Sequence, residues 1–286
     1  MPPPLFPGNN GVLPPGKGAD VAAYKTLQVE WPRAQIAVAY LNRPERLNAI
    51  TFRMFEEFAA LQAAIEDDSE TRVLILTGKG RGFCAGLDLD LAATLPDMSA
   101  AQMLAGQESW ARSVTGFQRM TTPVIAAVNG PAAGAGLSLA LAADIRIAST
   151  TAKFNAAFVR IGLSGGDLGT SWALPRLLGL GRATEILLTG RFVDASEALR
   201  VGLVTDVCEP DSLLDRAMEI AGQIRANSPM AMALTKQVIQ ANIGASSVEA
   251  ALALENRNQV LASRTADMRE ALWAFRERRL PKFVGE

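Results

Sequence analysis

Two glycine-rich turns carry the residues whose types and spacing are best suited to chemistry. The first turn contains Gly130, Gly134 and Gly136, and it links an apolar run at 124–128 to an apolar stretch with a helical pattern. Glycine lets bare backbone approach a ligand closely, and the start of a helix presents free N–H groups and a positive dipole. Such a turn can stabilise an oxygen that gains negative charge, for example a carbonyl oxygen during a reaction.

The second turn follows another apolar run, at residues 72–77. The segment 82–90, with the sequence GFCAGLDLD, can also supply backbone N–H donors. Since the carboxyl ends of parallel strands lie at one edge of a sheet, we expect the two turns to converge where α/β folds usually bind ligands.

Composition excludes several classes of protein. The chain has no histidine, so it has no Ser-His-Asp triad, no histidine metal ligand and no imidazole proton shuttle. Cys84 and Cys208 lack metal-ligand spacing, so we expect reduced thiols, a cytoplasmic setting and no metal. Lys plus Arg number 28 against 29 Asp plus Glu, which leaves no basic surplus for nucleic acid. No apolar run is long enough for a membrane span, and no signal-peptide core is present.

Strand, glycine turn and helix recur along the chain, which predicts an α/β fold. Residues 1–20 are rich in Pro and Gly and predict a flexible extension, followed by a core at 21–210. Helical patterns alone fill 211–286, which we interpret either as an oligomerisation region or as a cap over the core. The predicted strands are 36–41, 72–77, 124–128, 145–148 and 203–208. The predicted helices are 51–66, one from the glycine turn to 143, 174–178, 194–201, 213–226, 229–241, 248–262 and 268–279.

From about residue 30 to 284 the sequence resembles the enoyl-CoA hydratase/isomerase (crotonase) superfamily. The matching pieces, specific in their combination and order, are NRPERLNA at 42–49, GFCAGLD at 82–88, PVIAAVNG at 123–130, ADIR at 143–146, LTG at 188–190, residues 198–204, and AFRERR at 274–279. The resemblance implies a spiral of ββα units, with a helical C-terminal region that builds homotrimers, often paired into hexamers.

The resemblance also implies a substrate, an acyl-CoA thioester whose carbonyl oxygen lies between two backbone N–H groups. Those donors correspond to Leu87 and Ala135. The second position is often glycine in the family, but alanine keeps the N–H group. Coenzyme A enters as part of the substrate, and the resemblance implies no prosthetic group.

The family's coenzyme A site corresponds here to backbone from Leu47 to Ala49 and to the loop from Ala85 to Asp88. A C-terminal aromatic residue and a basic residue also contribute, and Phe275 and Lys282 are the matching positions. Lys282 also fits the simpler interpretation of a solvated surface charge.

The chain departs from its family at the two catalytic glutamates of the hydratases, where it carries Ser138 and Phe158. Neither side chain is an ordinary acid or base near neutral pH. Hydration needs one group to activate water and a proton for the α-carbon, so the standard two-carboxylate mechanism is not supported. Ser138 could hold a water or a polar acyl group, or could be a small core residue.

Asp167 is the leading candidate for proton transfer. It lies in the glycine-rich segment 162–170, which resembles, with one inserted residue, the region where dienoyl-CoA isomerases of the family carry a catalytic aspartate. An apolar pocket would raise its pKa. The alternative is that Asp167 caps the following helix. Glu108 is a second candidate carboxyl, with a solvated helix face as its alternative.

The sequence therefore predicts an acyl-CoA enzyme that stabilises a thioester enolate and hydrates or isomerises an enoyl-CoA double bond with a non-standard proton-transfer group. Two alternatives stay open. One is thioester hydrolysis or a carbon–carbon bond reaction on a specialised acyl-CoA. The other is a catalytically impaired homologue that only binds acyl-CoA.

Overall fold

The computed structural model describes residues 24–286. The strands within them are β1 (Leu27–Arg33), β2 (Ile36–Leu41), β3 (Val73–Gly78), β4 (Val124–Val128), β5 (Ala132–Ala133), β6 (Ile145–Ser149), β7 (Lys153–Asn155), β8 (Val193–Asp194) and β9 (Asp206–Cys208). The α-helices are α1 (Phe52–Asp67), α2 (Leu89–Ala92), α3 (Ala100–Arg119), α4 (Ala135–Leu141), α5 (Thr170–Leu178), α6 (Leu180–Thr189), α7 (Ala195–Arg200), α8 (Leu213–Arg225), α9 (Pro229–Asn242), α10 (Val248–Ala262) and α11 (Ala266–Glu277). The predicted extension at 1–20 lies outside the described residues.

The main sheet has the strand order β1-β2-β3-β4-β6-β9. Its first pair is antiparallel and all its other pairs are parallel. Because β2, β3 and β4 are parallel neighbours, the loops that follow them leave the same edge of the sheet. A second sheet, β5-β7-β8, starts within the first glycine turn, because β5 lies between Gly130 and Gly134. The α/β prediction is confirmed.

The main sheet is buried on both faces, which explains its continuous apolar strands. One face packs Val38, Ile75 and Ile125 against α8 through residues such as Ala217 and Met218. The other face contributes to a larger core that includes α1, α3 and α4, where the rings of Phe58 and Phe117 meet edge to face at 5.6 Å.

The structure contains elements that were not predicted, namely β1, β5, β7, β8, α2, α3 and α6. The strand predicted at 203–208 is limited to Asp206–Cys208, because Leu203 donates its N–H to the Ala198 carbonyl and ends helix α7 instead. Helices α8 to α11 agree within two residues with the four helices predicted between 213 and 279, and the residues after Glu277 are not helical.

A buried lysine ties helix α9 to the sheet. The Lys236 ammonium lies 2.7 Å from the Asp144 carboxylate, and it also donates to the carbonyls of Phe117 and Thr122. Burial raises the pKa of Asp144 and lowers the pKa of Lys236, against the attraction between the two charges. Each charge is therefore tolerated at this depth because the other is present.

We expect Lys236→Met to lower the free energy of unfolding by about 3–5 kcal/mol, because it leaves the Asp144 carboxylate buried without its cation. Denaturant unfolding measures the change. The double variant Lys236→Met/Asp144→Asn should recover part of the loss, since no unpaired charge remains. A single variant as stable as the wild type would contradict this account of the pair.

Candidate functional site

The two glycine-rich turns lie side by side and are joined by main-chain hydrogen bonds. The Cys84 N–H donates to the Pro131 carbonyl at 3.0 Å, and the Ala133 N–H donates to the Cys84 carbonyl at 2.9 Å. These bonds form a parallel bridge between Cys84 and Ala132. The convergence expected from the sequence is present at the loops that follow β3 and β4.

Glycine is required because the two backbones leave no space for a side chain. A Cβ atom on Gly136 would lie 2.1 Å from the Cys84 carbonyl oxygen, and one on Gly86 would lie 2.7 Å from the Ala133 carbonyl oxygen. Gly86 also has φ +96°, and Gly134 has φ +51°, conformations that side chains disfavour.

The amides of Leu87 and Ala135 have the properties of paired donors. Ala135 is the first residue of α4, so its N–H has no acceptor inside the helix. Leu87 and Ile50 form a parallel bridge, in which the Ile50 N–H donates to the Gly86 carbonyl and the Asp88 N–H donates to the Ile50 carbonyl. Its own N–H therefore has no acceptor within residues 24–286. The ideal Cβ position on Gly86 lies only 3.6 Å from the Ala135 nitrogen, so the two donor segments are adjacent.

The segment from Leu47 to Ala49 packs directly against the loop from Ala85 to Asp88. The Leu47 carbonyl accepts a hydrogen bond from the Ala85 N–H at 3.0 Å. Leu47 and Asn48 both have positive φ, at 50° and 57°. The Asn48 side chain, fully buried, supports this turn by donating to the Gly82 carbonyl and accepting from the Arg43 N–H.

Asp88 is occupied by structural contacts. Its carboxylate lies 2.9 Å from the Arg43 guanidinium, which also donates to the Ala49 carbonyl, and it accepts from the Asp90 N–H at the start of α2. Burial works against ionisation, but the hydrogen bonds from Arg43 and Asp90 outweigh it and lower the pKa of Asp88. The loop can thus offer a ligand its backbone, while the Asp88 side chain holds the loop in place.

Within residues 24–286, neither the Phe275 nor the Lys282 side chain makes a hydrogen bond or ion pair with these loops. Phe275 is 83% exposed on α11. The Phe283 carbonyl, one residue after Lys282, accepts from the Arg72 guanidinium at 3.0 Å, next to the start of β3. The glycine turn follows the other end of this six-residue strand, about 20 Å away at 3.3 Å per residue.

Ser138 and Phe158 are both buried beside the donor turn. The Ser138 hydroxyl lies 2.7 Å from the Thr170 hydroxyl and 3.5 Å from the Asp167 carbonyl oxygen. It also lines a cavity of about 180 Å³ with largely apolar walls, including Leu141, Leu168 and Trp172. The Phe158 ring lies 3.7 Å from the ideal Cβ position of Gly134.

Asp167 does not cap helix α5, contrary to the alternative interpretation of its role. Gly169 is the N-cap residue of α5, and no side chain caps it. The Asp167 carboxylate instead accepts from the Leu168 N–H at 2.8 Å and from the Gln107 side chain of α3. Burial raises the pKa of Asp167 by more than these two hydrogen bonds lower it. Asp167 is thus a half-buried residue whose main-chain carbonyl lies 3.5 Å from the Ser138 hydroxyl of α4.

Glu108 faces solvent, with its side chain 59% exposed and paired to Arg112 at 3.8 Å. The solvated-face interpretation is therefore the correct one for Glu108. Gln107 and Arg43 are further residues of the site that were not predicted from the sequence. Arg43 stands inside the matching piece at 42–49, whereas no local signal distinguishes Gln107.

Within residues 24–286, no group of three or more His, Cys, Asp or Glu side chains is placed to hold a metal ion. The same part of the chain contains no helix long and apolar enough to cross a membrane.

A sequence model described as enoyl-CoA hydratase/isomerase matches residues 32–286. The chain belongs to this family. It is 40% identical over 275 residues to the "Probable enoyl-CoA hydratase EchA12" of Mycobacterium tuberculosis, covering 93% of this chain and 96% of the relative. It is 38% identical over 251 residues to the 1,2-epoxyphenylacetyl-CoA isomerase of Escherichia coli, covering 86% and 94%. The crystal structure of an enoyl-CoA hydratase from Bacillus anthracis superimposes with a TM-score of 0.87 at 34% identity, covering 92% and 100%.

These relatives confirm the crotonase fold and an acyl-CoA enzyme of the enoyl-CoA hydratase/isomerase family. Two of these relatives are named as hydratases and one as an isomerase, so membership of the family does not determine which reaction this protein catalyses. The residues around the two donors must decide it.

We expect Gly136→Ala to destabilise the protein by several kcal/mol, because its Cβ would force the α4 turn away from the Cys84 carbonyl. Denaturant unfolding measures this loss. The matched control is Gly222→Ala in α8, where no atom lies within 4 Å of the added Cβ. That variant should gain about 0.5–1 kcal/mol, as alanine does over glycine inside a helix. Equal effects in the two variants would argue against the close-contact account.

Proposed function

We propose that this protein isomerises the double bond of an enoyl-CoA thioester, with Asp167 as its proton-transfer group. The observation that carries the proposal is a pair of backbone donors, Leu87 and Ala135, that have no acceptor within residues 24–286. It is accompanied by the half-buried Asp167, whose main-chain carbonyl lies beside Ser138 of α4. The amides would bind the thioester oxygen, and Asp167 would move the proton.

Isomerisation suits a single carboxyl better than hydration does. The Asp167 carboxylate removes a proton from carbon 2 of a 3-enoyl thioester, and the C–H electron pair moves toward the carbonyl to form a dienolate. The same carboxyl then returns the proton to carbon 4, which gives the 2-enoyl product. No water is consumed, so the glutamates missing at Ser138 and Phe158 are not needed.

Stabilisation of the dienolate falls to the backbone donors. Negative charge develops on the thioester oxygen, and fixed N–H groups in a site that excludes water stabilise it without reorganising. Loss of one comparable donor in other enzymes costs about 2.7–4 kcal/mol. Backbone amides from Leu87 and Ala135 provide this effect whatever side chains stand there.

We propose that coenzyme A lies along the backbone of Leu47 to Ala49 and of Ala85 to Asp88, which the main-chain bond between Leu47 and Ala85 holds together. We propose that a second copy supplies the predicted contacts of Phe275 and Lys282 with coenzyme A. Phe275 is exposed on α11, and the neighbouring Phe283 carbonyl contacts Arg72 at the end of β3 opposite the glycine turn.

The C-terminal helices support assembly into a homotrimer or a hexamer. Large apolar side chains stay exposed on α9 to α11, more than a monomer normally leaves in water: Ile239, Ile243, Val248, Leu252, Val260, Leu261, Leu272, Trp273 and Phe275. Contact between copies would bury these side chains.

Asp167→Asn should lower isomerisation of 3-enoyl-CoA by about 10²–10⁴-fold, the usual contribution of a general acid–base group. Glu108→Gln is the matched control, because it removes a solvent-exposed carboxyl from the adjacent helix. It should leave the rate unchanged. The assay includes crotonyl-CoA hydration and thioester hydrolysis.

Wild-type activity in Asp167→Asn would remove Asp167 from the mechanism. If hydration of crotonyl-CoA is the fastest reaction, the protein is a hydratase and not an isomerase. If release of free coenzyme A is the fastest, the protein is a thioester hydrolase. Tight acyl-CoA binding without turnover of any thioester would instead indicate a binding protein.

Light scattering coupled to size exclusion should give three or six times the chain mass of 30.4 kDa. Leu272→Glu combined with Trp273→Glu should yield smaller species with weaker coenzyme A binding, because charge is placed in the proposed contact. Leu199→Glu, on the exposed face of α7, is the control. A wild-type protein that runs as a monomer would contradict the assembly.

A further inference from the structure

We infer that Gln107 is a positioning residue for Asp167, and that it leaves Oδ2 of this carboxylate as the atom that takes and returns the proton. The inference rests on the proposed function and goes beyond it, because it assigns a role to a side chain on helix α3 and to one of two carboxylate oxygens.

The two hydrogen bonds to the Asp167 side chain converge on the same oxygen. The Leu168 N–H donates to Oδ1 at 2.8 Å, and the Gln107 Nε2 group donates to Oδ1 as well. Oδ2 accepts no hydrogen bond within residues 24–286. An oxygen with two donors is less basic than one with none, so a proton adds preferentially to Oδ2.

The same two bonds fix the direction in which the carboxylate points. The Leu168 bond is local, and Leu168 itself has φ +47° next to Gly169. A single local bond leaves the side chain free to rotate about it. Gln107 adds a second anchor from a helix 60 positions away in the sequence, and two anchors on one oxygen restrict where Oδ2 can lie.

The Asp167 carboxyl has no ion-pair partner within residues 24–286. Helix α4 carries no charged residue. Charged side chains on the other neighbouring elements are engaged elsewhere: Glu108 with Arg112, Arg176 over the Trp172 ring, Arg160 over the Phe192 ring, and Glu185 with Arg191. Neutral hydrogen bonds and burial therefore govern its titration, and Gln107 is the side chain that supplies one of those bonds.

The test uses Gln107→Met, which keeps the length of the side chain and removes the donor. Without this bond the ionised form of Asp167 loses a stabilising contact, so its pKa rises further. The acid limb of the kcat/KM profile should move to higher pH, and kcat at its plateau should fall about tenfold, the effect of roughly 1.4 kcal/mol. The side-chain carboxyl carbon of Asp167, followed by NMR against pH, should show the same shift.

Gln62→Met is the matched control. Gln62 on α1 also donates to α3, at the Ser113 carbonyl, but it does not contact Asp167. It should lower stability without moving the pH profile or the Asp167 titration. Gln107→Glu adds a like charge next to Asp167 and should move the acid limb to still higher pH.

The NMR titration separates failure of this inference from failure of the proposed function. Loss of activity in Asp167→Asn together with an unchanged Asp167 titration in Gln107→Met overturns the role of Gln107 alone. Full activity in Asp167→Asn overturns the proposed function, whatever the titration shows. An acid limb that moves equally in Gln62→Met also overturns the inference, since the effect would then be a general loosening of α3.

Discussion

Backbone contact between the two glycine turns is the constraint on which the rest of the site depends. The Cys84 and Ala133 hydrogen bonds hold the segments so close that a Cβ on Gly136 would overlap the Cys84 carbonyl oxygen. Parallel pairing of β3 with β4 brings the turns to one edge of the sheet, and the glycines let them touch. The amides of Leu87 and Ala135 then become neighbours as a consequence of the fold.

In the proposed mechanism, backbone donors bind the thioester oxygen and a separate side chain transfers the proton. The donors belong to the main chain, so replacing a glutamate by Ser138 or Phe158 leaves them in place. The proton, however, must be carried by a side chain that titrates. Asp167 is the half-buried carboxyl with a raised pKa in this region, whereas Asp88 is held by Arg43 and Glu108 faces solvent. The proposed isomerisation consequently depends on where one carboxylate lies.

Much of the fold could be predicted because its signals are local. Strand β4 and helix α10 have the predicted bounds, since an uninterrupted apolar run and a serine N-cap define them within a few residues. Strand β1 was missed because its sequence, LQVEWPR, mixes charge and a proline with apolar residues, as an antiparallel edge strand permits. Helix α3 was missed because its apolar face is narrow and its buried positions include Ser113 and Gly116.

The hydrogen-bond partners of Asp167 could not be predicted from the sequence, for a different reason. An aspartate three residues before a helix fits a cap by local rules, yet helix α5 starts from Gly169 without one. What decides its role is a glutamine on another helix, together with burial by elements far apart in the chain. Burial favours the protonated acid by more than the two hydrogen bonds favour the carboxylate, so the pKa of Asp167 is raised above its usual value. A carboxyl that must both remove and return a proton needs that balance, because a strongly stabilised carboxylate would not take the proton and a fully desolvated acid would not release it.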